Sequence, residues 1–190
     1  MNKIVAIVGM CGSGKSMACD VFRQSDWYYI RFGQLTIDKL KQEGKQINPA
    51  NEREMRESLR SEMGMGAFAL LLLPQIEKAA SEGNVIIDGL YSWSEYKILK
   101  EKFGENIKIF HIYASPQTRY TRLEERAPLQ EDREHRMRRL SEREARERDY
   151  SEIENIEKGG PIAMADFTVI NEGSLEALRE KVGELVRLLD

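Results

Sequence analysis

Residues 4–16 read Ile4-Val5-Ala6-Ile7-Val8-Gly9-Met10-Cys11-Gly12-Ser13-Gly14-Lys15-Ser16. The first five of these residues are an unbroken aliphatic run, which is typical of a strand buried on both faces of a parallel sheet. Residues 9–16 match the pattern Gly-x4-Gly-Lys-Ser, in which a glycine-rich turn opens a helix. A strand, this turn and a helix in succession predict a phosphate-binding loop.

The residue types in the loop suit a polyphosphate and a hard cation. Glycines let successive backbone N–H groups point at one anion, and the following helix adds the positive end of its dipole. Lys15 is expected to reach the β- and γ-phosphates, and the Ser16 hydroxyl to ligate Mg²⁺, which prefers oxygen. The residues expected to hold the cofactor are Gly9, Met10, Cys11, Gly12, Ser13, Gly14, Lys15, Ser16 and Met17.

Length and composition limit the class of protein. A chain of 190 residues predicts a single domain over residues 1–190, and a net charge of −3 argues against bulk binding to nucleic acid or an anionic membrane. Two cysteines cannot form a disulfide framework, which favours a reduced, cytoplasmic setting. The apolar run at residues 67–73 stops at Pro74, short of the roughly 20 residues that a bilayer span needs.

Strand and helix patterns alternate along the chain. Aliphatic and aromatic runs predict strands at residues 28–32, 85–89, 107–114 and 167–170, in addition to the first. Helical spacing predicts helices at residues 15–24, 36–43, 94–102, from 51 through two glycines to 81, from 116, and from 174. This alternation predicts a doubly wound α/β domain with a five-stranded parallel sheet.

Asp88 ends the third predicted strand, at the carboxyl edge where such sheets bind ligands. A carboxylate there can hold Mg²⁺ or accept a proton from an attacking hydroxyl, and a turn aspartate before Gly89 is the alternative. The aromatic residues Tyr91, Trp93 and Tyr96 follow, and we expect them to pack rather than to stack on a base.

With these features the chain resembles the P-loop nucleotide kinases, a group that includes nucleoside monophosphate kinases and dephospho-CoA kinase. Asp88-Gly89 resembles the Asp-Gly at the end of the third strand of adenylate kinase. Residues 114–116 followed by Arg122 and Arg126 resemble the turn and Arg-x3-Arg pair that open the kinase lid. Residues 165–173 resemble the end of dephospho-CoA kinase.

The resemblance implies a three-layer α/β/α P-loop NTPase fold with strand order 2-3-1-4-5. It also implies an acceptor-binding insert at about residues 33–66 and a lid with a charged helical segment at about residues 127–150. The implied activity is Mg²⁺-dependent transfer of the γ-phosphate of ATP to a small nucleotide-like, anionic acceptor, such as a nucleoside monophosphate or dephospho-CoA. Asn171 and Gly173 would lie beside the adenine.

The expected catalytic residues are Lys15, Asp88, Arg122 and Arg126, because the transferred phosphoryl group spreads negative charge that nearby donors stabilise. Arg122 and Arg126 are four residues apart, which places both on one helical face. The expected metal ligands are Ser16 and Asp88. Surface ion pairing is the alternative for the two arginines.

The segment from residue 119 to residue 158 mixes arginines and carboxylates in nearly equal numbers. A solvated helix with ion pairs four residues apart explains most of them. Two of them, Arg146 and Arg148, lie where the implied lid would return and can close on the phosphates.

The chain departs from the family pattern on the acceptor side. Gly33 is followed by Gln34 rather than by aspartate, and Gln34 cannot act as a base. Ile37 and Ser92 stand where adenylate kinases carry arginines. The AMP-phosphate clamp is therefore absent in its usual form. Asp38 is nearby but is expected to lie one helical turn away, and Asp88 can serve as the base instead.

Other arginines offer a substitute for that clamp. Arg31 ends the second predicted strand, and Arg53, Arg56 and Arg60 follow at helical spacing on one stripe. They are expected to grip an anionic acceptor, and a solvated helix face is the alternative.

Two other functions stay open. One is a regulatory P-loop ATPase acting on a protein partner, and the other is a nucleotide-binding protein without kinase turnover. A GTPase is disfavoured because no Asn-Lys-x-Asp motif follows the fourth strand. We expect a monomer or a homodimer, and the sequence does not identify the acceptor.

Overall fold

Five parallel strands form the centre of the molecule. The structure is a computed structural model that describes residues 2–126 and 139–189, and its sheet has the order β2-β3-β1-β4-β5. This is the predicted order. The strands are β1 (Ile4–Val8), β2 (Tyr28–Arg31), β3 (Val85–Asp88), β4 (Ile107–Tyr113) and β5 (Phe167–Ile170).

Helices connect the strands on both sides of the sheet. The described helices are α1 (Lys15–Arg23), α2 (Phe32–Gln42), α3 (Pro49–Met63), α4 (Ala67–Glu82), α5 (Trp93–Phe103), α6 (Pro116–Glu124), α7 (Glu142–Glu154), α8 (Gly159–Ala163) and α9 (Leu175–Leu189). Among the described residues, none of these helices is both long and apolar enough to cross a membrane.

The sheet separates two apolar layers, because successive residues of a strand point to opposite faces. Ile4, Ala6 and Val8 of β1 pack in the layer that α2 to α5 cover, which includes Phe68 and Leu99. The other layer lies beneath α1 and α9, where Val5 and Ile7 are packed with Phe22, Phe110, Leu178 and Val182. The predicted three-layer α/β/α fold is therefore confirmed.

Two helices begin earlier than the apolar spacing predicts. The Asn48 side chain accepts a hydrogen bond from the backbone N–H of Asn51 at 2.9 Å, so α3 begins at Pro49 rather than at Asn51. α2 begins at Phe32, directly after β2, rather than at Thr36. Residues 33–66, the predicted insert, thus comprise most of α2, all of α3 and the turns that follow them.

All strand carboxyl ends meet at one edge, where the candidate site lies. β1 pairs with β3 so that Ile7 is opposite Asp88, and with β4 so that Val8 is opposite His111. Arg31 is opposite Asp88 across β2 and β3. The first half of the predicted lid, residues 127–138, lies outside the described residues.

Candidate functional site

The turn between β1 and α1 is tight and depends on glycine. Gly9 and Gly14 have φ angles of +143° and +103°, a region that favours glycine. A Cβ atom on Gly14 would lie 2.5 Å from the amide nitrogen of Asn171, and one on Gly9 would collide with the carbonyl oxygen of Ile112. The loop is therefore held closely between the ends of β4 and β5.

Lys15 is the first residue of α1 and points back into the loop. Its ammonium donates a hydrogen bond to the carbonyl oxygen of Met10 at 2.9 Å. Burial, followed by repulsion from Lys158, lowers the pKa of Lys15 to about 8, although Cys11 and nearby carboxylates, including Asp88, act in the opposite direction. A bound phosphate would give this ammonium an anionic partner in place of the neutral Met10 carbonyl.

The turn after β5 is tied to the loop. The amide of Asn171 donates to the carbonyl oxygen of Ser13 at 2.8 Å. The guanidinium of Arg122 donates to the carbonyl oxygens of Asn171 and Gly173, both at 2.9 Å. Asn171 and Gly173 thus adjoin the phosphate loop, and their contact with a base stays a prediction. Arg122 holds this turn in place in the structure.

Arg126 does not continue the helix that carries Arg122. α6 ends at Glu124, so the prediction that the two arginines share one helical face is wrong. The sequence supplies a reason, because Pro128 follows closely and disfavours a helix through this point. A catalytic role for either arginine stays a prediction.

A buried ion pair that the sequence did not reveal supports the loop from the other side. Arg119 makes two parallel bonds to Asp149 of α7, at 3.0 and 2.6 Å, and also donates to the carbonyl oxygens of Cys11 and Ala114, each at 3.1 Å. The Tyr120 hydroxyl donates to the same carboxylate at 3.0 Å. Nothing in the charged run distinguishes Arg119 from its solvated neighbours.

The two predicted lid arginines differ in their surroundings. Arg146 pairs with Glu142 at 2.8 Å and is largely exposed. Arg148 is half-buried, donates to Glu152 at 2.9 Å, and has Cys11 of the phosphate loop among its electrostatic neighbours. Of the pair, Arg148 is the one that faces the site.

Lys158 is a site residue that sequence reasoning missed. It is only 1% exposed, its ammonium bonds to Glu152 at 2.5 Å, and it lies 5.2 Å from the centre of the Tyr91 ring. Burial alone would raise the pKa of Glu152, but the charges of Lys158 and Arg148 outweigh it and hold this pKa well below its usual range. In the sequence, Lys158 stands beside Gly159 and Gly160 and far from any motif, so its position gave little indication of a functional role.

Asp88 and Tyr91 line the end of β3. The carboxylate of Asp88 accepts a hydrogen bond from the Tyr29 hydroxyl at 2.8 Å. The hydroxyl of Tyr91 folds back over Gly89, where a Cβ atom would lie 2.6 Å from it. Burial, followed by the nearby charge of Asp88, raises the pKa of Tyr91 to about 12, so its hydroxyl stays protonated. The Tyr91 ring packs against the apolar core, as the sequence predicted.

The predicted acceptor arginines do not form one basic stripe. Arg53 is exposed and donates to Glu57 at 2.7 Å. Arg56 pairs with Glu52 at 3.5 Å. Arg60 instead turns inward, with its guanidinium 5.1 Å from the centre of the Phe68 ring. Arg31 ends β2 beside Gly33 and acts electrostatically on Tyr91, which places it nearer to Asp88 than the α3 arginines Arg53 and Arg56.

The positions that depart from the adenylate kinase pattern serve the fold. Ile37 is buried in the core, and Ser92 caps α5 and donates to the carbonyl oxygen of Met65 at 2.7 Å. The Gln34 amide donates to the carboxylate of Asp38, one helical turn away, at 2.9 Å. These positions supply no charge to an acceptor phosphate.

A family model described as an AAA domain matches residues 5–159 of the chain. The UPF0200 protein of Thermococcus sibiricus is 31% identical over 188 residues, which cover 98% of this chain and 95% of that protein. The chain belongs to the UPF0200 family. Its AAA-domain match covers the phosphate loop, β3, β4 and the segment up to Gly159.

Solved structures share the fold of this UPF0200 chain at low sequence identity. They include TT1252 from Thermus thermophilus, with a TM-score of 0.64, 18% identity and coverage of 100% of this chain and 98% of that one. A gluconokinase from Sinorhizobium meliloti has a TM-score of 0.55, 15% identity and coverage of 98% and 93%. A shikimate kinase from Bacteroides thetaiotaomicron has a TM-score of 0.58, 15% identity and coverage of 97% and 98%. The fold is that of the P-loop kinases.

Proposed function

We propose that this protein is an ATP-dependent phosphotransferase that uses Mg²⁺ and acts on a small acceptor. The observation that carries the proposal is the meeting of half-buried Lys15 with buried Lys158 and Asp88 at the carboxyl edge of the sheet, next to the phosphate loop. Two cations suit a transferring phosphoryl group, and a carboxylate beside them suits a proton acceptor.

The donor side follows from the loop. The phosphates of ATP would lie on the backbone of residues 9–14, with Lys15 released from the Met10 carbonyl to bind them. The turn at Asn171 and Gly173 would contact the base, and Arg122 holds that turn in position.

The oxygen donors near the loop fit a magnesium ion. Ser16 lies in the first turn of α1, Asp88 is a single carboxylate at the end of β3, and Mg²⁺ in kinases uses one or two such groups together with phosphate oxygens and water. When bound, the ion would neutralise charge on the phosphates.

The transfer step needs no covalent enzyme intermediate. The acceptor oxygen forms a bond to the γ-phosphorus while the bond from that phosphorus to the β–γ bridging oxygen breaks, and ADP leaves with the bonding electrons. Asp88 takes the proton of the acceptor hydroxyl. Lys15, Lys158 and Arg148 stabilise the charge that spreads over the equatorial oxygens.

A coupled ADP-release assay tests this proposal. The panel comprises the common nucleoside monophosphates, dephospho-CoA, D-gluconate and shikimate, each with ATP and Mg²⁺. We expect acceptor-dependent ADP release that Lys15→Met abolishes and that the exposed matched control Lys78→Met retains. ADP release that no panel member stimulates, or wild-type rates in Lys15→Met, would contradict a kinase. Stimulation by a protein partner alone would favour a regulatory ATPase.

A further inference from the structure

Three buried polar atoms on the acceptor side, Thr36 Oγ1, Arg60 Nε and Glu95 Oε1, have no hydrogen-bond partner among the described residues. Glu95 is completely buried, and its Oε2 accepts the backbone N–H groups of Tyr91 at 2.8 Å and Ser92 at 3.0 Å. Its other oxygen, Oε1, is unpaired, and so is the buried Nε of Arg60. Because buried polar atoms in native proteins are nearly always hydrogen-bonded, such exceptions call for an explanation.

Arg60 and Glu95 belong to one place in the fold, because the Ser92 hydroxyl at the start of α5 donates to the carbonyl oxygen of Met65, just after α3, at 2.7 Å. Burial raises the pKa of Glu95 to about 7, and the backbone N–H groups of Ser92 and Tyr91 and the charges of Arg60 and Lys158 oppose that rise. No hydrogen bond joins Arg60 Nε to Glu95 Oε1 in the described residues. Phe68 covers the Arg60 guanidinium and keeps the region apolar.

Lys158 connects this place to the phosphate loop. It acts on the pKa of Lys15 and also on the pKa of Glu95. The ring of Tyr91 lies beside the Lys158 ammonium, and the backbone of Tyr91 bonds to Glu95. A molecule with one end at Lys15 and Asp88 would therefore extend along Lys158 towards Arg60 and Glu95.

The orphaned atoms select the chemistry of the group between them. Arg60 Nε–H can only donate a hydrogen bond, and ionised Glu95 Oε1 can only accept one. A phosphate or carboxylate would be repelled by Glu95, and an ammonium would be repelled by Arg60. A hydroxyl can accept a hydrogen bond from Arg60 Nε–H and donate one to ionised Glu95 Oε1. If Glu95 is protonated, the same hydroxyl can accept a hydrogen bond from it.

We propose that Arg60 and Glu95 form a hydroxyl-binding subsite, so that the acceptor is a polyhydroxylated molecule such as a sugar, a sugar acid or a ribonucleoside. This inference rests on the proposed function, since the hydroxyl is a second one, distinct from the oxygen that receives the phosphoryl group. The other acceptor-side arginines agree with it, because Arg53 and Arg56 already face carboxylates and do not make an anion clamp.

The test combines two protein variants with paired acceptors. The pairs are AMP with its 2′-deoxy and 3′-deoxy analogues, and D-gluconate with its monodeoxy analogues. For the wild type we expect loss of the recognised hydroxyl to raise KM for the acceptor about tenfold, with kcat changed less. Glu95→Gln and Arg60→Met should raise KM for the parent acceptor by a similar factor and make the parent and deoxy compounds nearly equivalent.

Controls separate recognition from folding. Both variants should keep the wild-type KM for ATP, and Arg187→Gln, at an exposed arginine on α9, should behave as wild type throughout. Glu95→Gln retains an oxygen for the cap of α5, whereas Arg60→Met leaves that cap untouched, so agreement between them excludes a shared folding defect.

The outcomes distinguish this inference from the proposed function. Acceptor-dependent ADP release that no hydroxyl deletion changes overturns the subsite and leaves the kinase standing. Parallel losses on the parent and deoxy acceptors in both variants show a purely structural role and also overturn it. Calorimetric titration of the same pairs in the presence of MgADP gives a readout without turnover, and binding that is absent or indifferent to the hydroxyl overturns the subsite.

Discussion

The ammonium groups of buried Lys158 and half-buried Lys15 lie within electrostatic range of each other at the carboxyl edge of the sheet. Burying like charges together costs free energy unless carboxylates or a bound anion compensate them. Lys158 has Glu152 as a direct partner, whereas the bond that the described residues give the Lys15 ammonium goes to the neutral carbonyl of Met10. Lys15 is thus the cation that a phosphate would stabilise most.

The affinity for ATP should therefore depend on pH through Lys15. Since its pKa is about 8, Lys15 loses its proton as the pH rises from 7 to 9, and the dissociation constant of ATP should increase about tenfold over that interval. Lys15→Arg stays charged and should show a much flatter profile. Calorimetric titration with MgATP at both pH values measures this, and identical slopes for the two proteins would remove Lys15 as the cause.

Glu95 should leave a pH signature in stability. Its pKa is raised from 4.5 to about 7 in the folded state, so between these values the folded chain binds more protons than the unfolded chain. The corresponding stability is present below pH 4.5 and is lost as the pH rises through 7. Relative to Glu95→Gln, the wild type should lose about 3 kcal/mol of unfolding free energy between pH 4.5 and pH 8.

Urea unfolding of both proteins at the two pH values gives the comparison. A constant difference between wild type and Glu95→Gln would mean that the folded state does not hold Glu95 in its neutral form. Such a result would mean that Glu95 is ionised in the folded state, which is the form that repels an anion from the neighbouring subsite.

At the scale of elements, α6 and α7 are joined by the buried pair of Arg119 and Asp149. Asp149→Ala would leave a buried guanidinium unpaired next to the Cys11 carbonyl, so we expect the free energy of unfolding to fall by about 3–5 kcal/mol. ATP binding should weaken as well, because the loop loses part of its support. Urea unfolding and calorimetry measure the two effects.

The matched control lies on the same helix. Glu147 pairs with Arg143 in solvent, and Glu147→Ala should change the free energy of unfolding by no more than about 0.5 kcal/mol. Equal losses in the two variants would mean that α7 responds to any change of charge, and that the buried pair has no special part in supporting the loop.

Element types were predictable, whereas the helix starts and the bracing contacts were not. Residues 4–16 predicted β1, the loop and α1, because the hydrophobic pattern and the glycine positions are local. The start of α3 depends on the Asn48 side chain, which outweighs apolar spacing. Arg119 is indistinguishable in sequence from solvated arginines, since only tertiary packing decides which one is buried.

At the scale of the whole molecule, the sheet brings together residues that are far apart in sequence. Asn171→Ala would remove the bond to the Ser13 carbonyl and should weaken MgATP binding about tenfold, because one loop carbonyl and its peptide lose their support. Asn155→Ala, at the exposed end of α7, is the control and should bind MgATP as wild type does. An unchanged dissociation constant for Asn171→Ala would show that the loop keeps its shape without β5.

The strand order was predicted by family resemblance and is confirmed, and so is the three-layer fold. The acceptor side was less predictable, because its specificity depends on which arginine turns inward and which lysine is buried. The sequence around Arg60 does not indicate that its side chain turns inward, and the sequence around Lys158 does not indicate that it is buried. The extent of the single domain and the roles assigned to Arg126 and Arg146 stay predictions.

The bond between Asn171 and Ser13 joins positions 158 residues apart. During synthesis on the ribosome, the first strand and its turn emerge long before β5 does. The nascent polypeptide therefore lacks the amide that steadies the turn until nearly all of the described sequence has been translated. A stalled, shortened product would lack this bond and, under the proposed function, would hold the nucleotide poorly.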